Sequence, residues 1–148
     1  MENVILRTIC TRDCYSKTMF LNNLSETEKK AFLTLAKEFI LVDGVLSPEE
    51  EELVRIMKAE MGISEGFPEG EKSHQELFSL FNSRKSRISA LIEMEGLGYA
   101  NMEYHVQEKE FIKEMAETFG ITADELDTID EWVVRQVALL YEAHELWS

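Results

Sequence analysis

The residues best placed to do chemistry in this chain form one acidic turn, Asp43-Gly44-Val45-Leu46-Ser47-Pro48-Glu49-Glu50. Its spacing matches the second half of an EF-hand calcium loop, where an acidic residue precedes a glycine and a closing glutamate binds with both oxygens. The first half of such a loop is missing, because its first two ligand positions fall on Phe39 and Leu41. A complete EF-hand is therefore excluded. What remains is a half-loop offering the Asp43 carboxylate, the Val45 carbonyl, the Ser47 hydroxyl and Glu50. These are hard oxygen donors, suited to calcium, magnesium or manganese rather than zinc. The same residues have a second use. Ser47 and Glu50 have the spacing of a capping box, in which side chain and backbone at a helix start satisfy each other reciprocally. Asp43 and the glutamates beside it also favour the positive end of a helix dipole.

The turn recurs in weaker form 58 residues on, from Asn101 to Phe111. Without a gap, Glu50 pairs with Glu108, Glu52 with Glu110, Met57 with Met115, Gly62 with Gly120 and Ile63 with Ile121. Apolar positions keep the same phase, which predicts a degenerate helical repeat with halves at about 25–64 and 83–122. In the second copy Asn101 replaces Asp43, Met102 replaces Gly44, and Glu103 and Glu108 remain as donors. Met tolerates a left-handed turn poorly, so any ion is expected in the first copy.

The elements that must position these turns are helices. Ser or Thr followed three residues later by Glu occurs at Ser25/Glu28, Ser47/Glu50, Ser73/Glu76 and Thr122/Glu125. Pro48 suits a first helical position, and Gly62 and Gly120 suit helix ends. Between these signals apolar residues follow the 3.6-residue period: Phe32, Leu35, Ala36, Phe39 and Ile40; Leu53, Ile56, Met57 and Met61; Ile88, Leu91, Ile92 and Tyr99; Phe111, Ile112, Met115, Ala116 and Phe119; and Leu126, Ile129, Val133, Val137 and Leu140. Residues 65–72 read as a loop and 73–81 as a short helix. No run alternates with period two. The prediction is an all-α single bundle of six or seven helices over 19–148, closed by a C-terminal helix. Residues 1–18 lack an amphipathic period and read as an N-terminal arm, or as an extension upstream of a start at Met19.

The 148 residues suit one domain with a sizeable core. Fifteen basic and 29 acidic residues give a net charge of −14, which repels phosphate backbones and argues against nucleic acid as a partner. Such a balance favours cations, basic proteins or plain solubility. Cys10 and Cys14 lack the spacing of a metal or redox pair and read as reduced thiols of a cytoplasmic protein. No apolar run has membrane-spanning length.

A long helix ending in Asp-Gly, then aliphatic-Ser-x-x-Glu opening a helix that ends in Gly-Ile-Ser, resembles the TerB-like domain of tellurite-resistance proteins. That domain is also found at the N-terminus of a DnaJ-like membrane chaperone. The resemblance spans roughly Leu21 to Trp147 and is strongest from Ala31 to Ser64. It implies a pseudo-twofold helical domain with an acidic cluster for divalent metal. It also implies association with other tellurite-resistance proteins near the inner membrane surface. It carries over to Asp43, Glu50 and Glu108, whereas the family's second Asp-Gly is Asn101-Met102 here.

Other candidates are weaker. Glu71 and His74 form one Glu-x-x-His spacing where di-iron bundles need two, and they read as solvent-exposed. A metal-dependent enzyme built on them and the acidic turn ranks last of the readings. His105 stands at the Ser47 position as a second cap, and His144 continues the last helical stripe. Glu95 lies on an apolar stripe and is expected at a groove edge in contact with water, or facing the acidic turn as a further ligand. Gly96 and Gly98 point to a helix break or a close approach, and Arg84, Lys85 and Arg87 form the one basic cluster. Trp132, Tyr141 and Trp147 mark a protein interface, with a partner or a second copy, or cover the core from the side. No phosphate loop or nucleophile motif is present. The reading is a non-enzymatic interaction module that binds a divalent cation at Asp43/Glu50. The alternative is a helical scaffold whose acidic turns only cap helices.

Overall fold

The computed structural model describes residues 20–41, 48–100 and 106–147, apart from the side chains at 49 and 100. Among them are six α-helices and no strand: α1 (Glu26–Ile40), α2 (Pro48–Met61), α3 (His74–Phe78), α4 (Arg84–Ala100), α5 (Val106–Thr118) and α6 (Ala123–Leu146). A 3-10 turn, Leu21–Asn23, precedes α1. The all-α bundle expected from the periodicity is what the chain forms.

Three of the helices start at side-chain caps that the sequence spacing predicts. At α1 the Ser25 hydroxyl accepts from the Glu28 N–H at 3.2 Å, and Glu28 Oε1 accepts from the Ser25 N–H at 2.8 Å. Thr122 and Glu125 close the same box at α6. At α3 only half of it forms. Ser73 accepts from the Glu76 N–H, but the Glu76 carboxylate does not reach back. That helix also stops short of the expected Phe81, because i to i−3 bonds at Leu80 and Phe81 tighten the chain. The Ser47 box lies outside the described residues.

The ends of α2 and α5 close alike. Ile63 N–H reaches the Lys58 carbonyl at 3.1 Å, and Gly62 N–H the Ala59 carbonyl at 3.3 Å. Fifty-eight residues on, Ile121 N–H reaches Ala116 at 2.9 Å and Gly120 N–H reaches Glu117 at 3.1 Å. Gly62 and Gly120 take φ of +68° and +74°, the left-handed geometry this closure requires.

The central helices are α1 and α4. Ala31, Phe32, Leu33, Leu35, Ala36 and Phe39 bury α1 on several sides, since it meets α2, α3 and α4. For the same reason α4, packed on α1, α5 and α6, does not follow its expected stripe. Its core face is Ala90, Leu91, Met94 and Leu97, with Ser86 and Ser89 also buried, while Ile88, Ile92 and Tyr99 are only half-buried. Gly96 and Gly98 do not break it. Aromatic rings lock α1, α3 and α5 together: Phe39 to Phe111 (5.5 Å), Phe111 to Phe78 (5.9 Å), Phe78 to Phe119 (6.1 Å) and Phe119 to Phe81 (5.3 Å). The loop after α2 is pinned to α1. Phe67 N–H donates to Thr34 Oγ1 at 2.9 Å, and Gly66 approaches so closely that a Cβ there would sit 2.4 Å from the same oxygen.

Candidate functional site

Glu50 is the third residue of α2 and Glu108 the third of α5. Both are buried, at 5% and 1% exposure. Glutamate also fills the third position of α1 (Glu28), α3 (Glu76) and α6 (Glu125), so this is the chain's standard helix opening. Of these, Glu76 and Glu125 face solvent to a large extent, whereas Glu28, Glu50 and Glu108 are turned into the body. The other expected ligands, Asp43, Val45, Ser47, Asn101 and Glu103, lie outside the described residues, as does His105. Among the described residues no group of three or more His, Cys, Asp or Glu is arranged to hold a metal.

Glu28 shows what a buried carboxylate at this position does. Oε1 caps α1, and Oε2 accepts from the Asn82 N–H at 2.9 Å, tying α1 to the turn before α4. Burial pushes its carboxyl up. Hydrogen bonds from Ser25, Ser86 and the Asn82 amide outweigh that and hold it below the ordinary carboxylate value.

Glu93 and Glu95 are both buried, so Glu95 does not reach water at a groove edge as its stripe position suggested. Glu93 accepts from the Phe20 N–H at 3.1 Å, a bond 73 residues long in sequence. Being surrounded by other helices, α4 encloses side chains that a two-layer arrangement would leave at a rim.

The Glu71–His74 pairing does not form a helical face. Glu71 is in an exposed turn, and the helix begins only after Ser73. His74 turns instead to Glu38 on α1, with Nε2 to Oε2 at 2.5 Å, and sets its ring edge-on to Phe111 at 5.0 Å. Its side chain is 40% exposed, so the solvent-exposed reading holds only in part. The chain separation of Glu38 and His74 left no local signal for this contact. Within the basic cluster, Arg84 pairs with Glu125 on α6 at 3.0 Å, and Arg87 donates to the Phe81 carbonyl.

The aromatics of α6 divide. Trp132 is half-buried, its ring 5.8 Å from Phe20, and Tyr141 is half-buried. Trp147 is 70% exposed and stands edge-on to half-buried His144. Beside Trp132 lies an apolar depression of about 360 Å³, lined by Trp132, Arg135, Gln136, Leu139 and Leu140. Leu139 is 63% exposed and Leu146 86%. Trp132, Gln136, Leu139, Ala143 and Leu146 repeat at alternating steps of four and three, the spacing of a seam for another segment. The same helix also carries the stripe of Leu126, Ile129, Val133, Val137 and Leu140. A second depression holds Lys37 and Lys58, but both lie in last helical turns, where positive charge meets open carbonyls.

No known protein family, curated protein or solved structure matches this chain.

Proposed function

We propose that the chain is a non-enzymatic, TerB-like interaction module of a stress or tellurite-resistance-type system, and that the turn from Asp43 to Glu50 holds one divalent cation. The carrying observation is the burial of Glu50 and Glu108 at the same place in two helices 58 residues apart. A carboxylate at the third helical position reaches back over the residues that precede the helix. In α2 those residues are the ones that offer the Asp43, Val45 and Ser47 oxygens. The donor set suits calcium, magnesium or manganese, whose charge the acidic chain also favours. The matched closures at Gly62 and Gly120 support a duplicated helical unit. Asn101, Glu103 and Glu108 form the weaker second copy.

Under this reading the protein works in the cytoplasm through a protein partner or a second copy, at a membrane surface where its partners reside. No helix of the described residues is long and apolar enough to cross a membrane. A bound cation would couple ion concentration to the shape offered to a partner.

A second reading has its own observation. Glu28 is equally buried at the same helical position, and both its oxygens are taken by protein donors. By that analogy Glu50 and Glu108 are structural caps, and the module is a scaffold without ligand. Calorimetric titration of metal-stripped protein with calcium, magnesium and manganese separates the two. The cation reading expects one ion per chain in wild type and none in Asp43→Asn. Absence of binding by every ion leaves the scaffold.

A further inference from the structure

Along the outer side of α6, Trp132, Leu139 and Leu146 follow one another at seven-residue steps, roughly 10.5 Å each at ~1.5 Å per residue. The two ends of this seam are unlike. At Trp132 it is hollow, the apolar depression of about 360 Å³. At Leu146 it projects, with that side chain 86% exposed. Leu139, also largely exposed, is the midpoint between them. A two-fold rotation about an axis through Leu139 therefore brings the projection of one chain to the hollow of another. That is the condition for a surface to pair with its own copy.

Charge obeys the same rotation. Arg135 and Glu142 are seven residues apart as well, so they share one flank of the seam. Pairs on one helix form between residues three or four apart, so these two do not reach each other. Both are exposed, and neither forms an ion pair among the described residues. Antiparallel pairing about Leu139 sets Arg135 of each chain against Glu142 of the other, two ion pairs in all. Parallel pairing would set Trp132 on Trp132, keep Leu146 away from the depression and leave both charges without a match. The net charge of −14 on each copy opposes any association. Beyond about 8 Å that repulsion is screened at physiological ionic strength, whereas contacts within the seam are screened far less.

We propose that two copies of the chain pair through an antiparallel contact of their α6 helices, with Leu146 of each seated in the depression beside Trp132 of the other. The contact rests on the interaction-module reading above, makes a second copy the partner, and needs no cation.

Sedimentation equilibrium of the full chain tests the contact. At about 0.1 mM protein, a dissociation constant of about 10 µM leaves most chains paired. Wild type should show a reversible monomer–dimer equilibrium. Arg135→Glu and Glu142→Arg should each weaken it by about tenfold, because each turns two attractive pairs into two repulsive ones. The double variant Arg135→Glu/Glu142→Arg exchanges the charges and should restore wild-type pairing. Both positions are exposed, and circular dichroism checks that the helices persist in every variant. In a Cys10→Ser/Cys14→Ser background, mild oxidation of Arg135→Cys mixed with Glu142→Cys should give a disulfide-linked heterodimer, and neither variant should link to itself. A monomeric wild type at that concentration overturns the proposal. So do single reversals that leave pairing unchanged, a double variant that does not recover it, or self-linking in place of the heterodimer. A monomer that still binds one ion per chain removes the dimer alone, and a dimer that binds none removes the cation alone.

Discussion

Replacing Glu28 with glutamine tests how this fold uses a buried carboxylate. In the wild type one oxygen accepts from the Ser25 N–H and the other from the Asn82 N–H. An amide keeps one acceptor and turns an N–H group toward the other amide. Each hydrogen bond to a charged group contributes about 1.5–3 kcal/mol, and an unsatisfied buried donor costs about 1–3 kcal/mol. Glu28→Gln should therefore cost about 3 kcal/mol, a fall of roughly 6–12 °C in Tm for a chain of this size. The cost should depend on pH with a definite sign. Because hydrogen bonding holds the folded carboxyl below its ordinary value, its contribution is complete above the unfolded-state value of about 4.3. It is lost as pH falls through the lower folded value. Urea unfolding of both proteins between pH 7 and pH 3 should show a constant gap at neutral pH that closes under acid. A gap below about 0.5 kcal/mol, typical of a surface change, or one that stays constant to pH 3, would refute the reasoning.

Two further perturbations probe contacts that bind the elements together. Gly66→Ala drives a methyl group to within 2.4 Å of Thr34 Oγ1 and should cost about 1–3 kcal/mol in denaturant unfolding, with Thr34→Ala recovering part of it. His74→Ala should destabilise more than His74→Phe or Glu38→Gln. The ring contact with Phe111 lies against the core, whereas the half-exposed contact with Glu38 is expected to contribute less than about 1 kcal/mol. Equal losses in all three variants, by thermal unfolding, would assign the stability to the pair instead.

What the sequence revealed follows the range of each interaction. The helix starts at Ser25, Ser73 and Thr122 and the helix ends at Gly62 and Gly120 were legible, because caps involve residues three to five apart. The face of α4 was not, because periodicity finds a helix's most apolar side and α4 is enclosed on several. That also misplaced Glu95, which an amphipathic surface helix would have left at water. The Glu38–His74 pair and the bond from Phe20 to Glu93 join residues far apart in the chain and leave no spacing to read. The seam on α6 did leave one, but Gln136 and Ala143 within it dilute the apolar signal. At the acidic turn, glutamate in a capping position and glutamate in an ion site share one spacing, so the pattern alone left both readings open.

The measurement that bears most directly on the proposed function is thermal unfolding of metal-stripped protein with calcium, magnesium or manganese, beside Asp43→Asn. An ion at about one hundred times its dissociation constant stabilises the folded state by about 2.7 kcal/mol, or roughly 5–11 °C for this chain length. The account predicts such a rise with one of these ions in the wild type and none in Asp43→Asn. An unchanged Tm with every ion, or an equal rise in the variant, would contradict it and leave Glu50 and Glu108 as helix caps.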